Sequence, residues 1–250
     1  MKTKLMNFVW IVSFASTGMA QDRPTTLPAD GAWVRYHCTV KSDDGKQDRT
    51  LKTSIRLVGT KTENNQRCRW VELENDDRQG NEGTDQIYKL LFPEHSLLSD
   101  ERPLRHVLKC WNRVDPGEIK ELKTSALSES GGGNTRILDG SMLFWPGMLK
   151  DARPVHESTI VDYQQGKLEI PSGLTGKYVA VYDNAANPSL SLVSSSEYRV
   201  WFHKSLPVGY GHAKIRSTLD QNEKRILGSH REYFAEAWGM DAKTQIPEHD

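Results

Sequence analysis

The sequence predicts an α+β, mainly β protein: a curved, half-barrel-like antiparallel sheet with one or two helices packed against it. Three observations point there. Short segments rich in β-branched and aromatic residues recur along the chain, several with period-two alternation and turn chemistry between them. Only 36% of residues are hydrophobic while 26% are charged, the balance of a sheet wetted over much of its surface. The long helical period is confined to one stretch, Pro103 to Val114.

Residues 1–20 read as a secretory signal peptide. Lys2 and Lys4 precede a charge-free apolar run from Leu5 to Ser16, and the small-residue end Gly18-Met19-Ala20 predicts cleavage after Ala20. The apolar run is shorter than the ~20 residues that span a bilayer, so no transmembrane segment is expected after cleavage. This address predicts a secreted or periplasmic protein. Without Lys2 and Lys4 the 33 basic side chains fall to 31 against 33 acidic, a formal balance of −2. That gives no global field for nucleic acid, and no nucleic-acid partner is expected.

Residues 21–31 form an N-terminal arm, and 32–250 are expected to make a single β-rich domain. Ala32–Val40 alternates Trp33, Arg35, His37 and Thr39 with Val34, Tyr36, Cys38 and Val40. Asp43-Asp44-Gly45-Lys46 turns the chain into a second strand, Leu51–Thr60. Arg67–Glu74 and Gln86–Phe92 supply two more, with the acidic stretch Glu72–Asp85 read as an exposed hairpin tip. Pro93-Glu94-His95 starts a helical turn, and Pro103 opens a predicted helix with Leu104, Val107, Leu108 and Trp111 on one side. Residues 115–135, Gly-rich toward their end, are expected to be a loop or linker. Strands are then expected at Tyr178–Tyr182, Glu197–His203, Ala213–Leu219 and Arg231–Trp238, with Pro207–Gly211 as a turn.

No motif assigns a catalytic residue, a metal ligand set or a cofactor. There is no Gly-x-Ser-x-Gly elbow and no His-Glu-x-x-His, and Gly131-Gly132-Gly133 lacks the Lys and βαβ context of a phosphate loop. The acidic stretch lacks the alternating ligands of an EF-hand. His203 and His212 could meet across a turn and bind a metal with His230, against the default of surface or satisfied histidines, and His203 and His212 with acidic neighbours are the basis of a minority reading as a hydrolase with a non-local site. Cys38 and Cys68, on strands of one meander in an oxidising compartment, are the favoured disulfide, leaving Cys110 over; the alternative is three free cysteines packed in the interior as small apolar residues.

Large aromatics on strands fill the layer between sheet and helix by default. The sharper alternative is a concave face lined by Trp33, Trp70, Trp201 and Tyr198 that holds an apolar ligand. The expected function is therefore a non-catalytic binding protein that carries or senses a lipid or lipoprotein-like ligand. A structural or interaction module of the cell envelope, with an envelope protein as partner, is the alternative.

Through Pro93-Glu94-His95-Ser96-Leu97, Trp111, Tyr198–His203, Pro207-Val208-Gly209 and the segment Ala242–Pro247, the chain resembles a family of uncharacterised secreted bacterial proteins. The order of strands, helix and closing strand pair with its Trp and Pro-x-Gly turn is similar, more distantly, to the open half-barrels of periplasmic lipoprotein carriers (LolA/LolB-like). The resemblance implies an exported carrier-like fold and names no ligand residue.

Overall fold

The computed structural model describes residues 25–46, 48–76, 85–99, 103–115, 117–124, 145–164, 166–183, 191–221 and 224–247. The segment read as a signal peptide, the Gly-rich segment and the expected tip of the acidic stretch lie outside them. The dominant element is one curved antiparallel sheet, not closed into a barrel. Six strands form an N-terminal meander: β1 Trp33–Ser42, β2 Arg49–Glu63, β3 Gln66–Asp76, β4 Asp85–Pro93, β5 Lys109–Asp115 and β6 Ile119–Leu122. After β7, Arg153–Val155, and a separate hairpin of β8 Thr159–Tyr163 and β9 Gly166–Ile170, a second meander follows. It comprises β10 Gly173–Asp183, β11 Ser191–Trp201, β12 His212–Gln221 and β13 Lys224–Gly239. The sheet order β6-β5-β4-β3-β2-β1-β13-β12-β11-β10-β7 shows that one ladder, β1 with β13, fuses the two meanders.

Local chemistry explains the turns. Asn64 and Asn65, at φ 50° and 58°, occupy the two loop positions between β2 and β3, where a tight hairpin requires positive φ. Gly209, at φ +76°, sits where a Cβ would lie 2.1 Å from the Tyr36 hydroxyl, so the Pro207-Val208-Gly209 turn needs glycine on both counts.

Period-two alternation assigns the faces. The inner face carries Val34, Tyr36, Cys38, Ile55, Leu57, Val71, Leu73, Leu90, Val200 and Tyr233 in one buried cluster. The helix α1, Glu94–Ser99, a 3-10 turn at Pro103–His106 and another at Pro146–Leu149 contribute Leu97, Leu104 and Leu149 to the same cluster. Tyr36, Tyr210 and Tyr233 pack ring to ring at its centre, 4.8 to 6.2 Å apart. Buried Arg69 ties α1 and the arm to the sheet, donating to Glu94 at 2.7 Å and to the Pro28 carbonyl at 2.6 Å. No helix among the described residues is long and apolar enough to cross a membrane.

Four expectations are corrected. Pro103–Val114 is not one helix: after the 3-10 turn the chain becomes β5, because the open edge of β4 offers a full ladder from Leu91↔Lys109 to Asp85↔Asp115. The 115–135 stretch is not all loop, since β6 pairs with β5 within it. The acidic stretch does not begin as an exposed tip, because Glu72 on β3 is fully buried. Cys38 and Cys68 are not joined: all three cysteines are free and buried. Cys38 faces Leu51 and Cys68 faces Lys61, ten positions along the same strand β2. At ~3.3 Å per residue that separates them by ~30 Å, far beyond the ~7 Å a disulfide spans.

Candidate ligand-binding groove

The outer face of the sheet is built in two ways. Over β3, β4 and β5 it is sealed. Trp70 and Trp111 lie 4.9 Å apart with Lys89 Nζ over both rings, 5.1 and 6.0 Å from their centroids. The chain leaving β13 crosses back over this patch. There the backbone N–H groups of Gln245 and Ile246 donate to the Glu72 carboxylate at 3.0 and 3.1 Å. Lys89 donates to the Ile246 carbonyl at 2.6 Å, and Thr244 bonds Glu72 as well. Residues 242–247, singled out by the sequence resemblance, are thus a clasp over a buried polar cluster.

Over β10 to β13 and β1 the same face is open. The ladder registers bring ten outward-facing side chains into two rows: Thr175, Arg199, Lys214, Glu232 and Thr39, then Lys177, Glu197, Arg216, His230 and Lys41. These rows and the residues between them, Gly176, Tyr198, Ile215 and Arg231, line a groove of about 540 Å³. The two rows hold five Lys and Arg side chains, with Arg231 a sixth lining residue, against two Glu, a positive concentration in a chain with no net charge. Arg199 pairs with Glu157 at 2.8 Å, and Lys214 lies 3.6 Å from Glu232 with its Nζ 5.9 Å from the Trp201 ring. His230 lies 3.6 Å from Asp43. Lys41, Lys177 and Arg216 are exposed, with no carboxylate in ion-pair range among the described residues.

The floor of the groove is held from beneath. A Cβ on Gly176 would fall 2.3 Å from the Tyr198 hydroxyl, so the Tyr198 ring lies flat under this glycine on the inner face. That hydroxyl donates to the Met148 carbonyl at 3.3 Å, linking the floor to the inner cover.

The four aromatics of the sequence reading do not converge. Trp70 belongs to the clasped patch and Tyr198 to the inner face under the groove. Trp201 is buried at the end of β11, donating to the Glu157 carbonyl at 2.7 Å, and Trp33 donates to Asp241 at 2.7 Å. Tyr198 alone of the four lines the groove.

The three histidines also stay apart. His203 bonds Ser205, and His230 faces Asp43. His212 is buried and stacks between Trp201 and Phe234, at 4.7 and 4.3 Å. Its ring nitrogens meet Thr159 at 2.7 Å and Glu232 at 2.9 Å. Burial pulls its pKa below the ordinary histidine value, against the pull of Glu232. Among the described residues no group of three His, Cys, Asp or Glu is placed to hold a metal ion. Burial pushes the Cys38 thiol up to about 11 and Cys110 to about 12, and raises Cys68, which keeps all three as unreactive thiols at neutral pH.

The sequence reading missed the groove cations. Their signal was present in Lys214, Arg216 and Thr218 and in Glu197 and Arg199, charged or polar at every second residue of their strands. Compared with protein-family models, with curated proteins and with solved structures, the chain matches none.

Proposed function

We propose that this is an exported, non-catalytic binding protein that carries or senses an amphiphilic component of the cell envelope, a lipid or lipoprotein-like molecule. The observation that carries the reading is the open groove of about 540 Å³ across five strands of a curved, unclosed sheet. A concave site of that size with a few convergent polar groups suits a ligand head rather than a flat protein contact. The titratable groups support binding over chemistry. The thiols are driven toward inert neutral forms, and the buried histidine is engaged at both nitrogens rather than poised beside a nucleophile. The signal sequence supplies the compartment.

Native mass spectrometry of the protein purified from its own host tests this. A discrete non-covalent lipid mass on the folded protein is the expected result. Bare protein under conditions gentle enough to retain known lipid adducts would count against a carrier.

A further inference from the structure

We propose that the groove is a site for a ligand bearing two phosphate groups, one on Arg216 with Lys177 and the other, two residues further along the ladder, on Arg199 with Lys214. The inference rests on the binding reading above and names the chemistry of the ligand head.

The spacing comes from the ladder. Lys177, Arg216 and Lys41 occupy one row on β10, β12 and β1, each separated from the next by one intervening strand. At ~4.8 Å per strand, neighbouring cations of this row stand ~10 Å apart. In the other row Arg199 and Lys214 are directly opposite on adjacent strands, so their heads can close on one anion. Arg offers a planar fork that matches two phosphate oxygens at once, and Lys adds compact charge.

The charge is held ready. Three of the five cations in the two rows have no acid in ion-pair range among the described residues, in contrast to two groups elsewhere on this face. Arg56 pairs with Glu74, and Arg35, His37 and Lys52 gather around Glu236. Glu197 stands between Lys177 and Arg216 without reaching ion-pair distance of either, so the groove keeps more positive than negative charge, and an anion is drawn to it. The groove is also shaped for an occupant: the short Thr175 and Thr39 leave the ends of one row low while long basic side chains rise around them. Thr39 and His230 add hydrogen-bonding groups that phosphate oxygens can use.

Such a head has two sources, a diphosphorylated lipid or a soluble oligophosphate. The test uses the full secreted chain with three probes: phosphatidylcholine vesicles doped with cardiolipin, vesicles doped with phosphatidylglycerol at equal total charge, and inorganic tripolyphosphate. Binding to cardiolipin vesicles, to tripolyphosphate or to both is expected. The cardiolipin arm alone assigns the lipid source, and the tripolyphosphate arm alone the soluble one. Lys177→Glu with Arg216→Glu is expected to weaken the bound probe at least tenfold, while Lys120→Glu, on β6 far from the groove, leaves it unchanged.

Measurable binding that is equal for the two doped vesicles overturns the two-phosphate claim, as does unchanged affinity in the double variant. Failure of every phosphate probe overturns the inference, while an uncharged lipid seen by native mass spectrometry would leave the carrier reading standing. Tripolyphosphate binding by a protein that carries no lipid would do the reverse.

Discussion

One face of one sheet solves the same problem twice, with opposite results. Over β3 to β5 the polar groups Glu72 and Lys89 are cross-strand partners, fully buried, roofed by residues 244–246 and flanked by Trp70 and Trp111. Over β10 to β13 comparable side chains, Glu197 and Arg216, are also cross-strand partners, yet both stay exposed. What separates the two regions is a lid of six residues. Where the chain passes overhead, its backbone N–H and C=O groups satisfy the charges and water is excluded; where it does not, charges stay hydrated and available. Burial commits a polar group to structure, and exposure leaves it free for a ligand.

The largest effect expected from this contrast is on the clasped side. Glu72→Ala removes the acceptor of two backbone N–H groups and the Thr244 hydroxyl, and leaves Lys89 buried without its cross-strand acid. Removing one partner from a buried charged cluster costs ~3–5 kcal/mol, which urea denaturation would register as a large fall in midpoint. The double change Glu72→Leu with Lys89→Met is expected to recover much of that loss. A Glu72→Ala protein as stable as the parent would show that the clasp contributes nothing.

A smaller effect lies at His212, between the groove and the β8–β9 hairpin. Its folded pKa is held down by burial, so the unfolded chain takes up the proton first on acidification. Stability is then full above the unfolded value of ~6.5 and falls as pH drops through it, levelling only below the lower folded value. Denaturation midpoints at a series of pH values should show this decline in the parent and a flatter profile in His212→Asn. An unchanged profile would contradict the assignment.

The smallest effect should be on the open side. Lys177→Glu and Arg216→Glu touch exposed, unmatched cations, and each is expected to move stability by no more than ~0.5 kcal/mol in thermal melts. A loss comparable to that of Glu72→Ala would mean that these cations hold the sheet together. The thiols sharpen the same picture, because free Cys38, Cys68 and Cys110 should appear unpaired in non-reduced peptide mapping and label slowly until the protein unfolds.

Much of this architecture was legible from alternation alone. The strands around Val34, Ile55, Val71 and Ile215 announced themselves because one buried face writes itself into every second residue. The stretch around Trp111 misled because Leu104, Val107, Leu108 and Trp111 fit a helical face equally well, and only the vacant edge of β4 decides for a strand. Glu72 was hidden for a related reason. Its neighbours in sequence are acidic and solvated, and the residues that bury it arrive more than 170 positions later. The groove needed the β1–β13 ladder, a pairing of the first strand with the last that no local pattern encodes. Charges on β10, β11 and β12 were visible one strand at a time; their convergence with Lys41 was not.

The central claim, that the open half of the outer face is where a ligand sits, is most directly tested by hydrogen exchange with and without saturating cardiolipin vesicles or tripolyphosphate, whichever binds. The account predicts slowed exchange in peptides spanning 175–177, 197–199, 214–216 and 230–232, with β3 to β5 unchanged. Protection confined instead to the inner cover at 145–152, or to no part of the sheet, would contradict it.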